Sequence, residues 1–234
     1  MAHALPPDLL CETCGYGLFG LSADTSDAVC PECGTPIAAS IPTHRVGPAW
    51  QNRLTLAAWL RTAGSLLRRP GKTYHAMRLD GSATPARLFL LSIALIVGLG
   101  WGMFSFLVVG QGGLMAWLAG MVAAKVVLIM TYIETVGVTF FSRRRGWRVP
   151  FGLAERVTCY ASVGWVVAAA VLAPLVGLYE AGVFQQWVVG VIGRWEPEYR
   201  WLLGAVGFGA AVLFFETLVW TGVRKVRFGN RPQK

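Results

Sequence analysis

Charged residues are scarce in this sequence. Asp, Glu, Lys and Arg make up 14% of its 234 residues, against about a quarter in an ordinary soluble domain. So low a fraction excludes a disordered chain, a coiled-coil rod and a soluble enzyme with an ordinary surface. The composition is instead apolar, with 55% hydrophobic residues and ten tryptophans. It predicts a membrane protein, in which aromatic side chains collect at the interfaces.

The sequence patterns of common enzymes are also absent. There is no HExxH zinc-protease pattern, no GxSxG nucleophile pattern and no GxxxxGK[ST] phosphate-binding loop. The three histidines all lie outside the long apolar runs. Cys159 has no histidine near it in sequence, so we interpret it as a small core residue. The sequence therefore favours a protein without enzymatic activity.

Four of the five cysteines form two CxxC pairs near the start of the chain. Fifteen residues separate Cys11 and Cys14 from Cys30 and Cys33, and a glycine follows each pair. This spacing is typical of a zinc ribbon, because two thiolates in one tight turn can both reach a tetrahedral ion at about 2.3 Å. Four thiolates leave no position for a catalytic water, so we expect a structural Zn²⁺.

The alternatives to zinc are two disulfides, a redox dithiol and a rubredoxin-like iron site. Disulfides form in oxidising compartments. The first residues lack the basic start and the apolar run of a secretory signal, so we expect this module to lie in a reducing compartment.

The predicted ribbon is acidic although the whole chain carries a net charge of +9. Residues 8–37 contain five carboxylates and no Lys or Arg. Because nucleic-acid binding requires cations that displace counterions from phosphates, nucleic acid is an unfavourable partner. We expect the ribbon to dock on a cytosolic protein, or on the chain's own basic loop at Arg143–Arg148. The sequence carries no indication of an oligomeric state.

Composition divides the chain into five parts. Residues 1–37 form the zinc ribbon, 38–49 a linker, 50–87 basic amphipathic pre-membrane helices, 88–222 a transmembrane helical bundle and 223–234 a basic cytosolic tail.

A basic amphipathic helix is predicted over residues 50–69, ending at Pro70. Arginines occupy one face of this helix. The other face carries Leu56, Trp59, Leu60, Ala63, Leu66 and Leu67. Such a helix lies in the membrane interface, so we expect a bilayer with anionic headgroups as one partner. The alternative is a helix packed on the cytosolic end of the bundle.

Four apolar runs are long enough to cross a membrane, which takes about 20 residues. They are residues 88–109, 114–141, 158–179 and 201–221. The apolar stretch Ala181–Gly193 is only 13 residues long and predicts an interfacial or re-entrant helix. The expected fold is therefore mainly α: a polytopic bundle of four spans plus this short helix, preceded by the small zinc ribbon.

Positive charge orients the predicted bundle. Eighteen of the 21 Lys and Arg residues lie before the first span, between spans 2 and 3, or after span 4. The positive-inside rule then predicts a multi-pass protein of the cell (inner) membrane with both termini in the cytosol. A reducing cytosol also suits the zinc ribbon, so the two expectations agree.

Three charged residues interrupt the spans: Lys125 and Glu134 in the second, and Glu216 in the fourth. Such charges are costly in hydrocarbon and mark functional sites by default. Helical rise makes Lys125–Glu216 a geometrically allowed pair. The three residues are interpreted either as a buried ion pair with hydrogen-bonded carboxylates, or as the pathway of a small transporter or channel.

Two segments resemble bacterial Yip1-like membrane proteins. The first is LLRRPGKTYHAM at residues 66–77, and the second is ERVTCYASVG at residues 155–164, where the third span begins. The cysteine module resembles short CxxCGY…CPxCG modules at the N-termini of many bacterial proteins. The Yip1-like resemblance runs from Trp59 to Phe215. It implies five spans, a role in membrane organisation or partner recruitment, and no catalytic residues. The function predicted is a non-enzymatic adaptor.

Overall fold

The protein consists of an N-terminal cysteine module and a helical bundle. The computed structural model describes residues 8–21, 28–42, 45–182, 186, 189 and 199–230. Within these residues the only β-structure is two isolated bridges, both in the cysteine module. The mainly α fold predicted from composition is confirmed.

Eight helices lie within the described residues, after a short 3-10 turn at Ile37–Ser40. They are α1 (Ala49–Asn52), α2 (Leu56–Arg68), α3 (Pro70–His75), α4 (Thr84–Leu107), α5 (Gly113–Arg144), α6 (Phe151–Ala161), α7 (Val163–Glu180) and α8 (Tyr199–Val226).

Four segments of the described chain are long and apolar enough to cross a membrane. They are Thr84–Leu107, Gly113–Arg144, Phe151–Leu178 and Ala205–Val226. The third combines α6 and α7, which meet at Ser162. Each of the four predicted spans therefore coincides with a helical segment suited to a membrane, and the third begins at Phe151 rather than at residue 158. Most of the short helix predicted at residues 181–193 lies outside the described residues.

Helices α4 and α5 approach closely at glycine. A Cβ added to Gly120 would sit 2.5 Å from the carbonyl oxygen of Gly98, and one added to Gly98 would sit 3.0 Å from Cβ of Ala124. Small residues allow such contact between helix backbones, which in a bilayer are held together by packing.

The buried core is built largely at the end of the bundle that carries the cysteine module. Phe89 of α4 is fully buried, with its ring centre 5.5 Å from that of Trp59 and 5.3 Å from that of Tyr160. Across α5 and α6, the buried hydroxyls of Thr135 and Thr158 hydrogen-bond at 2.6 Å. Side chains that point away from this core are mostly exposed and apolar, as a surrounding bilayer requires.

The segment predicted as one helix over residues 50–69 forms two. Helix α1 ends at Asn52, and the hydroxyl of Thr55 caps α2 by accepting a hydrogen bond from the Ala58 amide at 3.3 Å. The break follows from this cap, because a capping residue adopts an extended backbone that cannot continue a preceding helix. Helix α2 ends at Arg68, shortly before Pro70, as the sequence predicts.

The apolar face predicted for α2 is split between two environments. Leu66 is buried against the bundle, and the indole N–H of Trp59 donates to the Ser92 hydroxyl of α4 at 2.7 Å. Leu56 and Leu60 instead are exposed. Helix α2 therefore packs on the end of the bundle, and keeps an outward edge of leucines beside its arginines.

Candidate metal centre and its docking on the bundle

The cysteine module is built from two similar turns. The Gly15 amide donates to the Cys11 carbonyl at 2.8 Å, and the Gly34 amide donates to the Cys30 carbonyl at 2.9 Å. Both glycines have positive φ, 86° and 69°, which L side chains rarely adopt. The glycine after each CxxC pair is therefore needed to close its turn.

The four sulfurs form one cluster. All four Sγ atoms lie within 4.8 Å of one another. Cys11 and Cys33 are 3.5 Å apart at Sγ, and Cys14 and Cys30 are 3.6 Å apart. Ligands at about 2.3 Å in a tetrahedral shell lie about 3.8 Å from each other, so the cluster fits a metal ion. A disulfide needs about 2.0 Å, and all four residues are free thiols.

Hydrogen bonding favours the thiolate at one ligand. The Sγ of Cys33 lies 3.2 Å from the Thr35 hydroxyl. Hydrogen bonds from the Thr35 side chain and backbone lower the pKa of Cys33 to about 6, because they stabilise the negative sulfur. The thiolate is the form of cysteine that binds metal.

The core of this module is very small. Its buried apolar residues are Leu9, Cys11, Leu18, Cys30 and Ile37. So few residues do not bury enough apolar surface to keep a short segment folded alone. The module must therefore gain stability from a bound metal, from the bundle, or from both.

A buried ion pair fastens the module to the bundle. Glu12, inside the first CxxC turn, accepts hydrogen bonds from Nε and Nη2 of Arg45 at 3.1 and 2.6 Å. The two side chains are 5% and 1% exposed, respectively. Arg45 also donates from Nη1 to the carbonyl oxygens of His75 and Met77 at 2.9 and 3.2 Å. Arg45 thereby joins the module to the end of α3.

Asn230, beyond the end of α8, holds the same module from another side. Its backbone N–H donates to the Glu12 carboxylate at 2.9 Å. Its side chain exchanges two hydrogen bonds with the backbone of Leu10, at 2.8 and 3.0 Å, and donates to the Ser40 carbonyl at 2.8 Å. One asparagine therefore satisfies polar groups of both the module and the segment that follows it.

Two arginines of the bundle bind the backbone of the module. Nη1 of Arg148 donates to the Asp8 carbonyl at 2.9 Å, and Nη2 of Arg227 donates to the Thr13 carbonyl at 3.0 Å. Of the two docking surfaces predicted for the cysteine module, the structure shows contact with the one on the chain itself. Its contact from the loop at Arg143–Arg148 is made by Arg148.

Sequence reasoning missed the residues that matter most for this docking. Residues 38–49, predicted as a linker, contain Ser40 and Arg45, both buried in the contact. Glu12 and Arg45 are 33 residues apart, and Glu12 and Asn230 are 218 apart. A single arginine in an irregular segment forms no pattern, so no sequence signal marks it as a docking residue.

A second feature missed from the sequence is a basic groove beside α2 and α3. It has a volume of about 740 Å³. Its charged lining residues are all cations: Arg61, Arg68, Arg69 and Lys72. None of the four forms an ion pair with another described residue.

The structure brings together two of the three predicted intramembrane charges. Glu134 of α5 and Glu216 of α8 line one cavity of about 300 Å³, with their carboxyl groups close enough to interact. Lys125 is exposed on the opposite side of α5, and no ion pair joins it to Glu216 in the described part of the chain. The nine residues between Lys125 and Glu134 turn the helix by about half a revolution.

No family model matches the chain, and neither a curated protein nor a solved structure is similar enough to match. The resemblance to Yip1-like proteins stays a prediction. Two properties stand on the structure: four helices suited to a membrane, and a four-cysteine cluster suited to a metal ion.

Proposed function

We propose that the chain is a non-enzymatic adaptor or membrane-organising protein of the inner membrane, with both termini in the cytosol. Its zinc ribbon binds a cytosolic protein. The observation that carries this proposal is the buried attachment of the ribbon through Glu12, Arg45 and Asn230. An attached ribbon presents one fixed surface at one height above the bilayer, which lowers the entropy lost when a partner binds.

Zinc is the metal that this site suits best. Four thiolates in a closed tetrahedral shell are the usual structural zinc site, and the reducing cytosol keeps the cysteines available. Iron is the competing ion, because it accepts the same four thiolates. Metal analysis of the protein purified without chelator distinguishes the two, with one zinc per chain as the expected result.

The described part of the ribbon leaves apolar side chains exposed, in a segment whose sequence is acidic. Tyr16, Phe19 and Val29 are all exposed, Phe19 most of all at 66%. Residues 8–37 contain no Lys or Arg. Exposed aromatic residues contribute strongly to protein interfaces, and the negative charge favours a partner with a basic rim.

A crosslinking pull-down from membranes tests the adaptor proposal. We expect wild type to capture a specific cytosolic protein, and Phe19→Ala to lose it. Phe106→Ala is the matched control, because Phe106 is similarly exposed but lies at the far end of α4. Identical partner lists for wild type and Phe19→Ala would contradict the proposal, provided that the variant retains its metal.

Anionic lipid is the second partner that we propose. Arg68, Arg69 and Lys72, which form no ion pair within the described part of the chain, line the groove beside α2, and Leu56 and Leu60 of that helix are exposed. In an interfacial helix, leucines enter the acyl region of the bilayer and cations lie beside them at the level of the headgroups.

The alternative function is a small transporter or channel. The cavity that contains Glu134 and Glu216 favours it, because intramembrane carboxylates commonly bind transported ions or protons. Lys125 no longer supports this pathway, since it lies away from the cavity. The alternative predicts an ion or proton flux in liposomes that Glu216→Gln abolishes; equal flux in both proteins would exclude it.

A further inference from the structure

The basic groove beside α2 and α3 carries positive charge at both of its ends. Arg61 and Arg68 line it from one face of α2, seven residues apart, so the helix makes about two turns and rises about 10 Å between them. Arg69 and Lys72, which follow Arg68 closely in the chain, line the groove as well. One end therefore holds a single cation, Arg61, and the other holds three.

The middle of the groove is open. Gly64 lies between Arg61 and Arg68 on the same face of α2, and a Cβ added to it would meet no atom within 4 Å. Glycine weakens a helix interior relative to alanine, so α2 gains no stability from this residue. What Gly64 provides is space between the two charged ends.

The charge of the groove is not balanced by the protein. Within the described residues, no Asp or Glu lines the groove and none of its four cations forms an ion pair. Like charges in one groove repel each other, and an anionic ligand relieves that repulsion. Arginine suits phosphate, because its guanidinium can donate two parallel hydrogen bonds to it. One phosphate is too small to contact both ends, whereas two phosphates on a short linker can each bind one end.

Exposed leucines beside the groove indicate that this ligand is a lipid. Leu60 lines the groove next to Arg61 and is 57% exposed, and Leu56, one turn earlier, is 74% exposed. The hydrogen bond from Trp59 to Ser92 holds this part of α2 against α4, the first span. The leucine edge therefore adjoins the bilayer, where acyl chains can cover it.

We propose that the groove binds one phospholipid that carries two phosphates. Arg61 binds one phosphate, the cations around Arg68 bind the other, and the glycerol that joins them crosses the opening at Gly64. The acyl chains lie along Leu56 and Leu60. Cardiolipin is a membrane lipid with this chemistry, and basic pockets at the cytoplasmic side of a membrane suit its headgroup. This inference rests on the proposed anionic-lipid partner and narrows it to one class of lipid.

Native mass spectrometry of the full chain in detergent tests the inference, because it counts the lipids bound as each lipid is added. Cardiolipin is compared with phosphatidylglycerol, which has one phosphate, at equal phosphate concentration, and phosphatidylcholine gives the background. We expect one cardiolipin per chain, bound about fivefold or more tightly than phosphatidylglycerol. Arg61→Gln should weaken cardiolipin binding about fivefold and leave phosphatidylglycerol binding nearly unchanged, because one phosphate needs only the Arg68 end.

Two further variants separate the shape of the groove from its charge. Gly64→Leu fills the open middle without removing a cation, and it retains α2 because leucine is the better helix former and the position has space. We expect it to lose the preference for cardiolipin. Arg53→Gln is the matched control, because Arg53 is exposed near α2 but does not line the groove, and the preference should be unchanged. The thermal midpoint without added lipid identifies any variant that is unfolded.

The possible failures are distinguishable. Equal affinity for cardiolipin and phosphatidylglycerol would overturn this inference and leave the anionic-lipid partner standing, whereas no binding of either lipid above phosphatidylcholine would remove both. An unchanged preference in folded Arg61→Gln, or an equal loss in Arg53→Gln, would show that the groove is not the site. Displacement of cardiolipin by inorganic pyrophosphate at a similar concentration would show that the ligand is a soluble diphosphate, and would overturn the assignment to lipid.

Discussion

Removal of Arg45 is expected to release the cysteine module from the bundle while leaving both folded. In Arg45→Met the side chain keeps its length but loses its charge and its donors. Glu12, whose side chain is 5% exposed, would then lose the two charged hydrogen bonds that Arg45 donates to its carboxylate. Two backbone carbonyls, of His75 and Met77, would also lose a charged donor.

The magnitude follows from burial. Removing one partner of a buried ion pair typically costs about 3–5 kcal/mol, because the other charge then stays buried without its partner. At about 1.4 kcal/mol per tenfold change, the ratio of docked to undocked module falls roughly 140- to 3700-fold. The exposed pair of Arg87 and Glu155, in which Arg87 is 60% exposed, should contribute at most about 1 kcal/mol. Arg87→Gln is therefore the matched control.

Hydrogen exchange measured by mass spectrometry reports docking directly. The Leu10 amide donates to the Asn230 side chain at 3.0 Å, so its protection depends on the docked state. We expect Arg45→Met to abolish or strongly reduce protection in the peptide that contains Leu10, and Arg87→Gln to leave it unchanged. Adding Glu12→Gln to Arg45→Met should restore part of the protection, because no buried charge then remains unpaired. Wild-type protection in Arg45→Met would refute the reasoning.

Three further predictions concern the helices, the groove and the metal. Gly120→Leu should destabilise the bundle by about 3 kcal/mol through overpacking, whereas Gly100→Leu should not, because the space around Gly100 is open. Thermal unfolding in detergent compares the two variants, and equal midpoints would contradict the close contact of α4 with α5. Arg68→Gln with Arg69→Gln should weaken the preference for anionic lipid by about 2 kcal/mol, roughly 30-fold. The measurement is the enrichment of anionic lipid that copurifies with the protein from mixed bilayers, and the same double change at the last two residues of α5 should have less effect. A strong chelator should raise hydrogen exchange across residues 8–42 but leave the helical circular dichroism signal nearly unchanged. If these residues stayed protected after the metal was removed, the folding of the module would not depend on the ion.

Local patterns in the sequence predict much of this molecule. The CxxC spacing identifies all four cysteines of the cluster, because the turn that brings two sulfurs together is local. The apolar runs identify the four spans for the same reason. Arg45 could not be predicted, because its role arises from contacts with Glu12, 33 residues away, and with two backbone carbonyls. The proximity of Glu134 to Glu216 likewise depends on how two helices rotate against each other.

The position of Asn230 near the end of α8 determines when the cysteine module can dock. The cysteine module is synthesised early, but Asn230, which binds Leu10 and Glu12, follows it by more than 200 residues. These docking contacts can therefore form only after residue 230 has been synthesised. Correct insertion of α8 places Asn230 and Arg227 on the side of the membrane where the module lies. The hydrogen bonds of Asn230 with Leu10 and Glu12 therefore require the end of α8 and the cysteine module to lie at the same end of the bundle.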